Sequence, residues 1–230
     1  MRMIVVFEKG YALRHIGHLD LLRTIQRALR RTDLPIRYSN GFNPHIQLSF
    51  AAPLSVGVVG LREVMDVPIQ GECDEAVFTR ELNRALPGCL QVCQSRAVPD
   101  DFPTLMALVA GSRIRVEVEG GEAADLVAKA FDRFMSVEEC VTLRKTKSGE
   151  NMTNIRPFVE EAALEAKPDG YTIRCLIRNQ KEGSLKPAVL VQALCEMAQV
   201  ESVSYIAYRD QILARNPSGQ LIALEEYAYA

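Results

Sequence analysis

No apolar run in this chain approaches the roughly 20 residues that a membrane-spanning helix needs. The apolar core of the opening MRMIVVFEKG is also too short for a secretory leader. A cytoplasmic protein with no membrane partner is therefore expected. The G-x-x-x-x-G-K-[ST] phosphate loop, the G-x-S-x-G nucleophile elbow and the G-x-G-x-x-G dinucleotide fingerprint are all missing. Cysteine is present but unorganised: Cys73, Cys89, Cys93, Cys140, Cys175 and Cys195 have no metal-ligand pairing. Cys89 and Cys93 have C-x-x-x-C spacing, but an iron-sulfur motif of that type needs a third cysteine at position 96, which is Arg96. The cysteines read as small thiols of a reducing compartment, and no metal or cofactor is expected.

Histidine is scarcer still, and its three copies, His15, His18 and His45, fall within one stretch running from His15 to Gly57. The net charge of -2 conceals an asymmetry in which residues 1 to 60 carry eight Lys/Arg against three Asp/Glu, leaving the remainder at -7. An anionic ligand at the N-terminal end is compatible with that distribution, while a pI near 6.0 argues against broad nonspecific nucleic-acid affinity.

At 230 residues the chain suits two domains of about 110 residues each. Residues 2 to 9 read as a strand ended by Gly10. A helix follows from His18, with Leu19, Leu22, Ile25, Gln26 and Leu29 on its inner face and Pro35 beyond its end. Extended segments flank the Asn40 to Pro44 turn, and residues 62 to 69 read as a strand near a sheet edge because of Pro68. A helix over 74 to 86 and a strand over 90 to 98 complete a β-α-β-β-α-β order. A Pro/Asp-rich break after residue 98 marks the boundary, and the order then repeats. Strands are expected at 112 to 119, 140 to 147, 171 to 178 and 203 to 207, with helices at 123 to 135 and 187 to 197. Ser148-Gly149 reads as a turn, and 154 to 164 as extended or briefly helical. The expected fold is α+β, two tandem ferredoxin-like βαββαβ units at 1-100 and 110-215, with a loosely held tail at 216-230.

On the first helix Asp20, Arg23, Arg27 and Arg30 recur at i, i+3, i+7 and i+10 and form one stripe. Such arginines repel one another unless solvated or faced by an anion. His18 and His45 could meet if the turn folds back on the helix start. They then offer either a structural role or acid-base chemistry on RNA, as in RAMP-type RNA-processing proteins, which this chain resembles in architecture only. The glycine-rich loop of those proteins is missing, since Gly170, Gly183 and Gly219 stand alone. Lys145, Lys147 and Arg156 add positive charge in the second half, and Lys186 stands at a helix start, where a cation is electrostatically misplaced.

FEKG, HLDLLRTIQRALRR, GFNPH, LSFAAPLSVG, IRP (155 to 157) and GSLKP (183 to 187) occur here in that order. Together they resemble the radical-SAM-linked family of uncharacterised bacterial proteins, encoded beside or fused to a radical SAM protein. The resemblance implies an accessory module without established activity, a radical SAM protein as partner and no cofactor of its own. The matching positions are His18, Asp20, Arg23, Arg27, Gly41, Asn43, Pro44, His45, Ser49, Gly57, Arg156 and Lys186. A ligand-binding set of His18, Asp20, Arg23, Arg27, Asn43, His45, Ser49, Arg156 and Lys186 is expected, recognising an anionic substrate such as RNA or a ribonucleoprotein. The alternative is a metal-independent RNA-processing enzyme with His18 and His45 as catalytic residues.

Overall fold

The computed structural model describes residues 1 to 146, 149 to 180 and 183 to 229. The chain forms two compact units, one of Met1–Ala110 with Arg209–Ala230 and one of Gly111–Tyr208. This differs from the expected division at 100, 110 and 215, because the chain from Arg209 onward returns to the first unit.

The first unit starts with β1 (Arg2–Lys9), buried on both faces as befits a β-branched central strand. After it come α1 (His18–Leu29), β2 (Ser49–Phe50), β3 (Val58–Pro68), α2 (Glu75–Ala85), β4 (Leu90–Val98) and the short α3 (Leu105–Leu108). β1 pairs antiparallel with both neighbours, placing Val5 opposite Met65 on β3 and Ser95 on β4. The ferredoxin-like order β4-β1-β3 is thus present, with β2 on the far side of β3. β2 is only two residues long because the chain from 36 to 48 contributes isolated bridges, Ile36 to Ile69 and Tyr38 to Ile46, in place of a continuous strand. β3 is interior, flanked on one side by β1 and on the other by β2 and a later strand. Pro68 is tolerated there because it ends the strand.

Both longer helices of this unit pack on one sheet face. α1 buries Leu21, Ile25, Ala28 and Leu29, a clean i, i+4, i+7, i+8 set, which leaves the expected core residue Leu19 62% exposed. α2 is capped by Asp74, whose carboxylate accepts from Val77 N at 2.9 Å, and it buries Phe78 and Leu82. These side chains meet Met3, Val5, Phe7, Met65 and Val67 in one core.

The second unit runs β5 (Val109–Glu119), α4 (Glu122–Ser136), β6 (Val141–Thr146), β7 (Gly149–Asn154), β8 (Val159–Lys167), β9 (Gly170–Arg178), α5 (Pro187–Ala198) and the start of β10 (Tyr205–Arg215). Its strand order, β10-β5-β9-β8, is again ferredoxin-like. The segment expected as its second strand, 140 to 147, is instead the first arm of a separate β6-β7 hairpin, and β8 takes the second-strand place. Lys147 and Ser148 of that expectation lie outside the described residues. α4 and α5 bury Phe131, Phe134, Leu190 and Leu194.

β10 passes from the second unit into the first at Arg209 and carries β11 (Leu221–Ala223) beside it. Ile212 and Ala214, with Leu224 of the 3-10 turn Leu224–Tyr229, cover Ile4 and Val64 on the sheet face opposite α1 and α2. Of the tail expected to be loosely held, residues 217 to 220 are exposed, whereas Ala223, Leu224 and Glu225 are buried, because β11 lies along β10, Leu224 packs on the sheet and Glu225 pairs with Arg62. Among the described residues no helix is long and apolar enough to cross a membrane. The fold class is α+β, as expected.

The β8-β9 turn depends on Gly170, whose φ of +139° is a glycine conformation and whose Cβ, if present, would lie 2.1 Å from Val118 O. Gly170→Ala is expected to destabilise the protein by about 1–3 kcal/mol. The measurement is the midpoint of urea unfolding, and an unchanged midpoint would show that the turn relaxes freely.

Candidate functional site

Three loops of the first unit, residues 10 to 17, 39 to 45 and 51 to 57, carry most of the residues singled out from the sequence. A buried cation network ties two of them down. Lys9, with no solvent exposure, donates from Nζ to Arg14 O at 3.2 Å and Ile16 O at 3.1 Å, folding the first loop over the end of β1. Arg209 donates to the buried Glu63 at 2.8 Å and also reaches Ala52 O and Pro53 O at 3.1 and 3.2 Å, fixing the AAP segment. Gly57 N then donates to Arg14 O at 2.7 Å and joins these two loops. Burial lowers the Lys9 pKa below its ordinary 10.5; the Glu63 carboxylate opposes that shift and Arg209 adds to it.

The GFNPH turn is held by a different device. Ser39 Oγ lies 2.8 Å from His45 Nδ1 and accepts from His45 N at 3.0 Å, while Ser39 N donates to His45 O at 2.8 Å. Gly41 supplies a φ of +119°. Gln26 of α1, expected in the core, instead donates to Ile46 O at 3.1 Å and moors the turn's base to the helix. His18 packs edge-on against Phe50, with ring centroids 5.1 Å apart. The site can thus present fixed imidazole edges, an arginine face and a rigid turn to a ligand.

The expected residues fall into two groups. His18, Asp20, Arg23, Arg27, Asn43, His45 and Ser49 are all exposed on the first unit. Arg156 and Lys186 belong to the second. The Arg156 guanidinium donates to Val159 O at 2.6 Å and to Met135 O, at the C-terminal end of α4, at 3.4 Å, where the helix dipole favours a cation. Lys186 is the exposed N-cap of α5 without a side-chain capping bond. The second unit has a cavity of ≈ 370 Å³ lined by Glu117, Lys167, Tyr171, Thr172 and Tyr205, among others. None of the expected residues lines it. Two of its lining groups are already engaged, Lys167 3.9 Å from Glu117 and Tyr171 OH donating to Asp125 at 2.7 Å, so the α1 arginines, which among the described residues have only the exposed Asp20–Arg23 pair, carry the stronger case for a ligand.

Sequence reasoning passes over Lys9, Glu63, Arg209, Ser39 and Phe42. Only Phe42 gives a local signal, since an aromatic between Gly41 and Asn43-Pro44 belongs to no periodic apolar pattern.

Two outcomes follow for these supports. Because the folded-state pKa of Lys9 is lowered, the unfolded chain binds more protons between that value and 10.5, and stability rises with pH across the interval. Lys9→Met is expected to cost about 1–3 kcal/mol near neutrality by orphaning two carbonyls, and to flatten that alkaline rise in urea titrations. Ser39→Ala is expected to leave global stability within about 1.5 kcal/mol while accelerating proteolytic nicking between residues 40 and 44. Unaltered nicking would mean that the clamp does not hold the turn.

No curated protein matches the chain. The solved structure of a proposed glycine cleavage system transcriptional repressor shows 14% identity over 91% of this chain and 98% of its own, with a TM-score of 0.22, a likeness too low to bear on fold or function. Residues 2 to 187 match the family described as an uncharacterised protein conserved in bacteria (DUF2344). With four-fifths of its length in that match, the chain belongs to this family of conserved bacterial proteins.

Proposed function

We propose that this chain is a non-catalytic recognition module that holds an anionic substrate, RNA, for a radical SAM enzyme. The observation that carries the reading is the outer face of α1. Arg23, Arg27 and Arg30 all point to solvent, and the exposed Asp20–Arg23 contact at 3.4 Å is their single ion pair among the described residues. Neighbouring cations one helical turn apart repel by about 0.7 kcal/mol even in water. The C-terminal end of the helix dipole offsets part of this for Arg27. A phosphate chain laid along the stripe would turn the repulsion into several charge-assisted hydrogen bonds.

The partner half of the reading rests on the sequence resemblance and on Arg96, which occupies the position a cluster-binding motif would give to cysteine. Radical chemistry would then come from the enzyme that receives the substrate. The rival reading, RNA cleavage by His18 and His45, draws less support. The ring of His45 is engaged by Ser39 and that of His18 by Phe50, so both support the loops they stand on.

Replacing Arg23 and Arg27 together by Ala is expected to weaken binding of a mixed-sequence RNA at least tenfold, and to lower the slope of log affinity against log salt by roughly one per arginine removed. Fluorescence anisotropy at several salt concentrations measures both. Equal affinity and slope for the variant would overturn the RNA reading, and RNA cleavage abolished by His18→Ala would replace it with the enzymatic one. Capture of a radical SAM protein from native lysate tests the partner independently.

A further inference from the structure

Phe42 is the most exposed large apolar residue in the described chain, at 106% of its reference area. It sits at the tip of a turn whose backbone is closed by local bonds. The Ser39/His45 clamp closes the base, Tyr38 bridges to Ile46 beneath it, Gly41 turns the backbone at φ +119°, and Pro44 fixes the descending side. Nothing lies within 4 Å of where a Cβ on Gly41 would be, so that glycine serves the backbone turn and not a packing contact. These local constraints fix the backbone of the turn, so its tip presents an exposed phenyl ring for contact with another molecule.

What stands beside the tip narrows the class of molecule. Leu19, Arg23, Gln26 and Arg30 lie at i, i+4, i+7 and i+11 and share one ridge of α1. Gln26 of that ridge is bonded to Ile46 O, so the ridge runs past the base of the turn. The ridge therefore meets the base of the turn at Gln26, with Arg23 and Arg30 about one helical turn to either side of it and the exposed Leu19 at the helix start. The one carboxylate of α1, Asp20, shares the stripe of Arg23, Arg27 and Arg30 and contacts Arg23 at 3.4 Å. An aromatic at the tip of a turn moored to a helix whose outward guanidinium groups have, among the described residues, only the exposed Asp20–Arg23 pair to offset them matches a ligand with planar π-faces and regularly spaced negative charges. A duplex hides its base faces within the stack, whereas an unpaired nucleotide presents one.

We infer that Phe42 is a stacking platform for an unpaired base, and that the ligand of this site is single-stranded or bulged RNA, its phosphates running along Arg23, Arg27 and Arg30. This rests on the RNA reading above and adds the strandedness of the ligand and the residue that senses it.

The chain contains no tryptophan, so Phe42→Trp introduces a single indole at the tip, selectively excited at the red edge beyond tyrosine absorption, without touching the core. The experiment titrates this variant, the wild type and Phe42→Ala with a labelled RNA of about 20 nucleotides, single-stranded or annealed to its complement. Binding is followed by anisotropy and tip contact by tryptophan emission. Expected are a preference for the single strand, quenching of the introduced indole's emission by it and not by the duplex, and a loss of roughly tenfold in single-strand affinity for Phe42→Ala with the salt slope unchanged. Binding by anisotropy with no quenching, or undiminished affinity in Phe42→Ala, would overturn the stacking inference and leave the RNA reading standing. No binding of either RNA would overturn both. Quenching by vesicles containing phosphatidylglycerol, with no response to RNA, would assign the tip to a membrane surface and also overturn it.

Discussion

The exposed end of the first unit depends on one buried charge arrangement. Lys9, Glu63 and Arg209 lie under the loops, where bringing ionised groups out of water is costly unless each finds partners. The partners are what give the arrangement its structural role. Lys9 bonds to two carbonyls of the loop after β1, Arg209 bonds to two carbonyls of the segment before β3, and Glu63 lies beneath as the shared counter-charge. A hydrophobic plug could fill the same volume, but it would not fix the direction of four backbone carbonyls. The loops are thereby positioned from below, leaving their upper surfaces without structural duty.

That division of labour explains why the residues of the site sort as they do. Side chains that hold the loops are buried or turned sideways: Lys9, Arg209, Gln26, Ser39, and Phe50 under His18. Those left over, the α1 arginines and the tip of the turn, are exposed and have little internal work. In the second unit two arginines are committed within the unit, while Lys186 stays exposed. Arg156 lies at the end of α4, and Arg144 donates to Ser184 O at 2.7 Å in front of α5. The charge asymmetry of the sequence is thus also an asymmetry of use.

Much of this is legible in the residues. The alternation of Ile114, Val116 and Val118 and the run of Val5 to Phe7 mark strands without help from elsewhere, and the α1 arginine stripe follows from spacing alone. Pattern shows that a segment is extended but not what it pairs with. The run Val141 to Thr146 therefore reads as a strand of the main sheet, although among the described residues it pairs only with β7. β10 reads short because Asp210 and Gln211 interrupt its apolar character, while Ile212 to Ala214 beyond them are fully buried. The supports of the site are invisible for a similar reason. Glu63 and Arg209 stand 146 positions apart, and no local window joins them.

The route of β10 also sets an order of events during synthesis. The first unit is made almost entirely before the second, yet Arg209 and the strands that cover Ile4 and Val64 emerge only after the whole of the second unit has been translated. Until then the nascent first unit holds a carboxylate with its guanidinium partner still unmade and an apolar sheet face open to water. Such a species is prone to association. The second unit, continuous from Gly111 to Tyr208, can close on its own contacts first. The loops above Lys9 near the start of the chain thus lack one of their supports until the last part of the chain has been made.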